Sequence, residues 1–204
     1  MLLLNNLEFK RLDKIIFNKI NISASAGKII LINGNNGAGK TTLLKTIVNI
    51  LEPTNGEIFW MGKKIKKNLF NFYSNTTFIM DKPTSSKSLT VLENIYFWKN
   101  LSISKITFDE INKLLEILEL TNYKNKLVGF LSLGEIKKLE LARLIIERKK
   151  LWLLDEPYNN LDSSSVEIIN QTFIDHSNKE GIVVFSSHYK PNIPNYEIVE
   201  MNQL

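Results

Sequence analysis

A glycine-rich segment between an apolar run and a helical pattern constrains the fold of this chain more than any other feature. Residues 29–32 read IILI, a continuous apolar run that is typical of a strand covered on both faces. Residues 34–41 follow and fit the pattern G-x-x-x-x-G-K-[ST]. Apolar residues then recur at helical spacing over 41–51. The order of strand, glycine-rich loop and helix predicts a phosphate-binding loop in an α/β fold.

The residue types in this loop suit the binding of a nucleoside triphosphate. Glycines allow backbone N–H groups to turn towards phosphate oxygens, Lys40 supplies a positive charge, and the Thr41 hydroxyl is placed to ligate Mg²⁺. A glycine-rich turn that only caps a helix is the alternative. The motif alone fits GTPases, kinases, helicases and transport ATPases. The predicted nucleotide-binding residues are Gly34, Asn35, Asn36, Gly37, Ala38, Gly39, Lys40, Thr41 and Thr42.

Two adjacent carboxylates follow a second apolar run, over residues 151–154. Asp155 at the end of such a strand can hold the Mg²⁺ of a bound nucleotide through water. Glu156 beside it can polarise an attacking water. An apolar–Asp–Glu string is also common in buried strands, so this interpretation depends on the phosphate-binding loop.

The remaining patterns predict one domain over residues 1–204. Runs at 2–9 and 15–22 read as a pair of antiparallel strands, and further strands are predicted at 57–60, 76–80, 182–186 and 196–201. Helices are predicted at 90–101, 108–120, 132–147 and 163–177. This order predicts a mostly parallel sheet flanked by helices, with an antiparallel β portion and a helical subdomain inserted at about 84–145.

Composition excludes several kinds of site and partner. A chain without cysteine cannot build a disulfide, a zinc–thiolate site or an iron–sulfur cluster. We expect no secretory signal, and no stretch approaches the roughly 18 apolar residues of a membrane span. Work at a membrane would therefore require docking on a partner. The net charge of +5 comes from scattered lysine pairs, which indicate a solvated face, so no nucleic-acid partner is expected.

Further motifs make the chain resemble the ATP-binding-cassette (ABC) ATPases. Residues 131–135 read LSLGE and are similar to the LSGGQ signature of that family. Residues 155–157 read DEP, residues 160–162 read NLD, and a histidine stands at 188. The phosphate-binding loop and these motifs follow the order of Walker A, signature, Walker B, D-loop and switch histidine.

This resemblance implies a P-loop NTPase fold of ABC type that binds ATP and Mg²⁺. It implies that Ser132 and Gly134 close on the γ-phosphate of ATP held by a second copy of the chain. Glu156 would be the catalytic carboxylate, and His188 would orient the water and the γ-phosphate. A solvent-facing or core histidine is the alternative for His188. Asp162 would lie at the dimer seam, and Thr41 and Asp155 would hold Mg²⁺ through nucleotide and water.

A narrower resemblance is to the ATP-binding subunits of cytochrome c biogenesis haem exporters. It rests on residues 89–94 (LTVLEN), 141–144 (LARL) and 151–158 (LWLLDEPY). It implies an ATP-hydrolysing subunit that docks on integral membrane subunits at the cytoplasmic face of the inner membrane and energises haem export or haem-chaperone release. The alternatives are a nucleotide-gated assembly scaffold with slow hydrolysis, and a soluble ABC ATPase of another system.

The chain departs from the family pattern at three motif positions. Leu133 replaces a glycine and restricts the backbone, and Glu135 replaces a glutamine. Lys82 stands where the family has the glutamine of its Q-loop. Lysine neither accepts hydrogen bonds nor ligates Mg²⁺. Lys82 and Leu133 therefore favour the scaffold alternative, whereas Glu156 and His188 oppose it.

The residues that would contact adenine and a membrane partner are less defined. The adenine-stacking position falls near Arg11, whose guanidinium can stack on a base, with Phe9 and Phe17 as alternatives that also suit a core. Tyr96 and Trp98 in the helical insert are candidates for an exposed coupling surface. Packing in the helix core is the equal alternative for both.

Overall fold

The strands whose ends form the candidate site belong to a five-stranded parallel sheet. The computed structural model describes residues 1–201, so the last three residues of the predicted domain lie outside the described part. Within that part the strand order is β6-β7-β8-β3-β9, and every neighbouring pair is parallel. The strands are β3 (Ile29–Asn33), β6 (Thr76–Ile79), β7 (Leu151–Asp155), β8 (Ile182–Ser187) and β9 (Glu197–Glu200).

An antiparallel sheet packs beside it, in the order β2-β1-β4-β5. Its strands are β1 (Leu2–Arg11), β2 (Lys14–Ala24), β4 (Asn55–Trp60) and β5 (Lys63–Lys64). The predicted pairing of the first two strands is confirmed. Leu2, Leu4 and Leu7 of β1 are buried and contribute to one apolar cluster with residues of β3 and the first helix. The predicted fold class, a parallel sheet with an antiparallel portion and helices, is therefore confirmed.

Five of the six helices in the described part occupy predicted regions, four of them with shorter bounds than predicted and the last of them with one more residue. They are α1 (Lys40–Ile47), α2 (Leu69–Ser74), α3 (Val91–Leu101), α4 (Phe108–Ile117), α5 (Leu133–Glu147) and α6 (Ser163–Asn178). The predictions that the first helix runs to 51 and another to 120 were wrong. Asn49 and Glu119 adopt left-handed backbone conformations, with φ of 57° in both, and end these helices. Helix α2 was missed because six residues show no helical period.

Three helices begin with the same capping box. Thr90, Thr107 and Ser132 each accept a hydrogen bond from the backbone N–H three residues on, and the glutamate at that position accepts one in return. These caps fix where α3, α4 and α5 begin. In particular, the cap fixes the start of α5 at Ser132, the first polar residue of the predicted signature.

The chain leaves the parallel sheet after β6 and returns to it at β7. Helices α3, α4 and α5 lie between these two neighbouring strands in sequence and share an apolar cluster of their own. Trp98 belongs to that cluster and is 4% exposed, so its assignment to an exposed coupling surface was wrong. Tyr96 is half-buried against the same cluster. No helix within residues 1–201 is long and apolar enough to cross a bilayer.

Candidate functional site

The glycine-rich loop connects β3 to α1 at the carboxyl edge of the parallel sheet. Gly37 and Gly39 have φ of 84° and 95°, in the left-handed region that favours glycine. A Cβ added to Gly39 would lie 2.7 Å from Cγ2 of Ile16 in β2, so the loop also needs a glycine there for space. Gly39 is the N-cap residue of α1 and has no side chain to cap it. The helix N-terminus therefore adds its partial positive charge to the loop.

Lys40 is buried inside the loop, with 6% of its surface exposed. Its Nζ donates to the backbone carbonyls of Gly34, at 2.7 Å, and Asn35, at 3.3 Å. The same ammonium lies 3.3 Å from Oε1 of Glu156. The loop, its lysine and the predicted catalytic carboxylate thus form one connected unit, although more than a hundred residues separate the loop from Glu156.

Thr41 and Asp155 form the second link between these segments. The Thr41 hydroxyl donates to Oδ2 of Asp155 at 2.7 Å, and Ser186 at the end of β8 donates to the other carboxylate oxygen at 2.7 Å. The two predicted magnesium ligands therefore face each other. Hydroxyl and carboxylate oxygens are the donors that Mg²⁺ prefers beside nucleotide phosphates, so these residues fit the metal.

Glu156 is held through its backbone as well as its side chain. Its φ is 46°, a left-handed conformation that is uncommon for a residue other than glycine. Its backbone N–H donates to the Ser186 hydroxyl at 3.0 Å, and its carbonyl accepts from Nζ of Lys137 at 3.1 Å. Its Oε2 lies 3.2 Å from Nδ1 of His188. The side chain is thus placed between Lys40 and the largely exposed His188.

The predicted signature residues lie at the exposed start of α5. Ser132 is exposed and its Oγ accepts from the backbone N–H of Glu135 at 3.2 Å. Leu133 is 66% exposed and lies in the first helical turn without a positive φ, so the expected backbone restriction causes no strain. A Cβ on Gly134 would lie 2.8 Å from the carbonyl oxygen of Asn160, which explains the glycine at this position.

Asp162 caps α6. It accepts hydrogen bonds from the hydroxyls of Ser164 and Ser165 and from the backbone N–H of Ser165. These bonds, the one from the Ser165 hydroxyl foremost, lower the pKa of Asp162 to about 2. The carboxylate therefore stays charged and positions the start of α6. Its place at a dimer seam stays a prediction.

The loop after β6 contacts the site through Asp81. Lys82, the residue at the Q-loop position, is exposed. Oδ1 of Asp81 accepts from Nδ2 of Asn159 at 3.1 Å and lies 3.6 Å from Nζ of Lys137. The sequence pattern assigned no role to Asp81, and it placed the pair Lys137-Lys138 on a solvated face, which was wrong for the buried Lys137. The spacing of Lys137 from the apolar residues at 141 and 144 was the available signal, because it puts this lysine on their face of α5.

The candidates for adenine stacking divide into exposed and buried residues. Arg11 is exposed at the end of β1. Phe17 is buried in the cluster between the sheets, and the half-buried Phe9 packs against it with ring centroids 6.0 Å apart. The two phenylalanines therefore have core roles, and stacking by Arg11 stays a prediction.

Known sequences match most of this chain, and they agree with the resemblance that its motifs indicate. A family profile described as "ABC transporter" matches residues 17–159. The "Cytochrome c biogenesis ATP-binding export protein CcmA" of Reclinomonas americana is 33% identical over 204 residues, covering 98% of this chain and 90% of the relative. The protein of the same description from Aliivibrio fischeri is 34% identical over 188 residues, covering 92% of each chain.

Solved structures are similar over almost the whole chain. A putative ABC transporter ATP-binding protein from Pyrococcus furiosus has a TM-score of 0.86 and 27% identity, covering 98% of this chain and 96% of its own. An ATP-binding cassette of an ABC transporter in its ADP conformation has a TM-score of 0.78 at 22% identity, covering 98% and 87%. The second likeness bears on the fold alone.

Proposed function

This chain belongs to the ABC transporter family as an ATP-binding subunit, and on that premise we propose that it hydrolyses ATP to drive a membrane complex of cytochrome c biogenesis. The proposed work is haem export or haem-chaperone release, at the cytoplasmic face of the inner membrane. Relatives named as cytochrome c biogenesis export proteins align over nearly the full chain, which supports the cytochrome c assignment. The contacts of Glu156 with Lys40 and His188 support hydrolysis.

The geometry suggests how ATP would change the site. Before ATP binds, the Lys40 ammonium and the Glu156 carboxylate offset each other's charge across 3.3 Å. Phosphate oxygens in the loop would compete for Lys40 and leave Glu156 to orient a water. The water oxygen would bond to the γ-phosphorus as the bond from this phosphorus to the bridging oxygen breaks, giving ADP and phosphate. His188, in contact with Glu156, would help to align the water.

Thr41 and Asp155 would hold Mg²⁺ beside the phosphates. When bound, the metal would neutralise charge on the β- and γ-phosphates. The hydrogen bond between Thr41 and Asp155 already places both oxygens on the same side of the loop. Ser186 fixes the second oxygen of Asp155, so the carboxylate keeps its orientation.

A second copy of the chain would complete the site. The exposed start of α5 carries Ser132 and Gly134, and a helix N-terminus favours phosphate. We propose that these two residues contact the γ-phosphate of ATP bound to the partner copy, with Asp162 near the seam. Two copies would then sandwich two ATP molecules, and hydrolysis would reopen them.

A nucleotide-gated scaffold with slow hydrolysis is the second candidate. The exposed Lys82 favours it, because a lysine at that position cannot ligate Mg²⁺. In that case ATP would hold the assembly together and turnover would be incidental. The two candidates differ in whether wild-type turnover depends on Glu156.

The substitution Glu156→Gln tests hydrolysis. Glutamine keeps the size of the side chain but removes the charge that orients the water, so we expect turnover to fall at least about 100-fold while MgATP still binds. The variant should accumulate as an ATP-bound dimer, measured by light scattering of the complex purified with its membrane subunits. Glu167→Gln, the same change at an exposed position on α6, should leave turnover unchanged. Normal turnover in Glu156→Gln would contradict the proposed mechanism.

A further inference from the structure

Lys137 is a buried cation one turn into α5, with 4% of its surface exposed. A buried ammonium is costly unless hydrogen bonds and opposite charges compensate it. Its Nζ donates to the backbone carbonyl of Glu156 at 3.1 Å. Burial lowers the pKa of Lys137, and the negative charge of Asp81, followed by those of Asp155 and Glu140, opposes that shift. Three carboxylates, those of Asp81, Asp155 and Glu140, therefore act on the charge of this lysine.

Asp81 connects Lys137 to two loops. Its Oδ1 lies 3.6 Å from Nζ of Lys137 and accepts from Nδ2 of Asn159, which lies just beyond Glu156. The Asp81 side chain itself is 54% exposed, so solvent reaches one side of this contact. Lys137 thus joins α5 to the loop after β6 and to the segment that carries Glu156.

The backbone of Glu156 needs such support. A left-handed φ at a non-glycine residue is strained and persists only where the surroundings hold it. Here the Ser186 hydroxyl holds the N–H and the Lys137 ammonium holds the carbonyl. Because the direction of the side chain follows from this backbone, the same two bonds aim the carboxylate at Lys40 and His188.

A second buried residue of α5 binds the loop after β6. Glu140 accepts from the backbone N–H groups of Thr84 and Ser85, at 2.7 and 2.6 Å, and from the Thr84 hydroxyl at 2.9 Å. Lys137 and Glu140 lie one turn apart on α5. The loop is therefore attached to this helix on both sides of Lys82.

We propose that Lys137 is a positioning residue for ATP hydrolysis, which fixes the Glu156 backbone and ties it to the loop after β6 through Asp81. This inference rests on the proposed role of Glu156 in orienting water. It adds that a movement of the loop after β6 would shift the Glu156 carboxylate through Asp81 and Lys137. Lys82 would not need to contact the metal for this effect. Lys137 itself touches no reacting atom.

The substitution Lys137→Met in the full-length chain, purified with its membrane subunits, tests the inference. Methionine fills a similar volume but leaves the Glu156 carbonyl without its donor, so we expect kcat to fall about 10- to 100-fold. KM for MgATP should stay within about threefold, because the phosphate loop is intact. The melting temperature should fall somewhat, because methionine leaves the Glu156 carbonyl and the nearby carboxylates without their cationic partner, so kcat and KM are measured well below it. Lys138→Met, the matched change next to it, should leave kcat within about twofold.

A double-mutant cycle with Asp81→Asn tests the second half of the inference. Asp81→Asn alone should lower kcat about 3- to 10-fold, and it should have no further effect in the Lys137→Met background. Equal kcat in Lys137→Met and Lys138→Met, or independent effects of Asp81→Asn in both backgrounds, would overturn the proposal. So would a loss of affinity for MgATP as large as the loss of kcat, because that would indicate general damage to the site.

The Glu156→Gln variant separates this inference from the proposed function. If it abolishes turnover while Lys137→Met does not, only the positioning role is wrong. If Glu156→Gln keeps normal turnover, the proposed hydrolytic mechanism fails, and the role of Lys137 fails with it.

Discussion

At the scale of single residues, His176 lies flat against Trp152 at the end of the sheet opposite the phosphate loop. The ring centroids are 3.5 Å apart and the planes differ by 6°. A ring nitrogen of His176 lies 3.1 Å from the carbonyl oxygen of Lys150. A Cβ on Gly181 would lie 2.2 Å from the same ring, so a glycine is required there. Burial lowers the pKa of His176 to about 4.

This stack makes stability depend on pH. The unfolded chain takes up a proton at the ordinary histidine pKa near 6.5, whereas folded His176 resists protonation down to about 4. Protons therefore favour unfolding, and the stability present above pH 6.5 is lost as the pH falls towards 4. Between pH 7.5 and 5 the wild type should lose about 1 kcal/mol more free energy of unfolding than His176→Phe, allowing for partial exposure. Urea unfolding followed by tryptophan fluorescence measures this, and equal losses in both proteins would contradict it.

The sequence indicated which residue types could bind phosphate and Mg²⁺, but not which residues they would contact. A lysine and a threonine in a glycine-rich loop, and a carboxylate after an apolar strand, carry their chemistry in their identity. The roles of Ser186 and Lys137 could not be predicted, because they depend on which strand and which helix lie beside β7. Asp155 is paired with Ser186 only because β7 and β8 are neighbours in the sheet.

At the scale of elements, α4 and α5 begin with the same capping box but are proposed to differ in function. Thr107 and Ser132 each accept a backbone N–H at 3.2 Å, and each backbone N–H donates to a glutamate at 2.7 Å. A hydroxyl that accepts such a bond can still donate its proton. At Ser132 that donor would be available to the γ-phosphate of a partner copy.

The matched caps allow the two roles of Ser132 to be separated. Ser132→Ala and Thr107→Ala should each lower the free energy of unfolding by about 1 kcal/mol, because each removes one cap. Only Ser132→Ala should also lower ATP turnover, by at least about tenfold, since it removes a donor to the phosphate. Chemical unfolding and steady-state hydrolysis measure the two effects. Equal turnover in both variants would mean that Ser132 serves only as a cap.

Helices and strands could be predicted where their apolar residues follow a clear pattern in the sequence. The apolar runs of β3 and β7 and the long pattern of α5 are visible directly. The ends of α1 and α4 were not, because apolar residues continue past Asn49 and Glu119 and a glutamate seldom adopts a left-handed conformation. The burial of Trp98 was equally hidden, since it depends on a cluster that includes residues distant in sequence, in α4 and α5.

At the scale of the whole molecule, the proposed work depends on integral membrane subunits. No helix within residues 1–201 is long and apolar enough to cross a bilayer. The pairing with such subunits is general for this family, and their identity here is part of the proposal. Purification from membranes would identify them.

Cytochrome maturation tests the biological assignment. In a bacterium that lacks its own subunit of this type, the chain with its co-purifying partners should restore c-type cytochromes, seen as covalent haem on gels. Lys40→Ala should abolish restoration, because the phosphates lose their charged contact. Lys45→Ala, the same change later in α1, should restore cytochromes normally. ATP turnover without restored cytochromes would disprove the cytochrome assignment and leave the ATPase intact, and absence of integral partners would favour a soluble ABC ATPase.

The neighbours of β3 have a consequence for how the chain is made. The strand that leads into the phosphate loop pairs only with β8 and β9, which come from the last part of the described chain. During synthesis, this apolar strand leaves the ribosome long before either neighbour does. It stays without these partners until β8 and β9 have emerged, which exposes it to chaperones and to aggregation. We therefore expect that the nucleotide-binding loop becomes competent only after both strands have emerged, so that shorter nascent chains do not bind ATP.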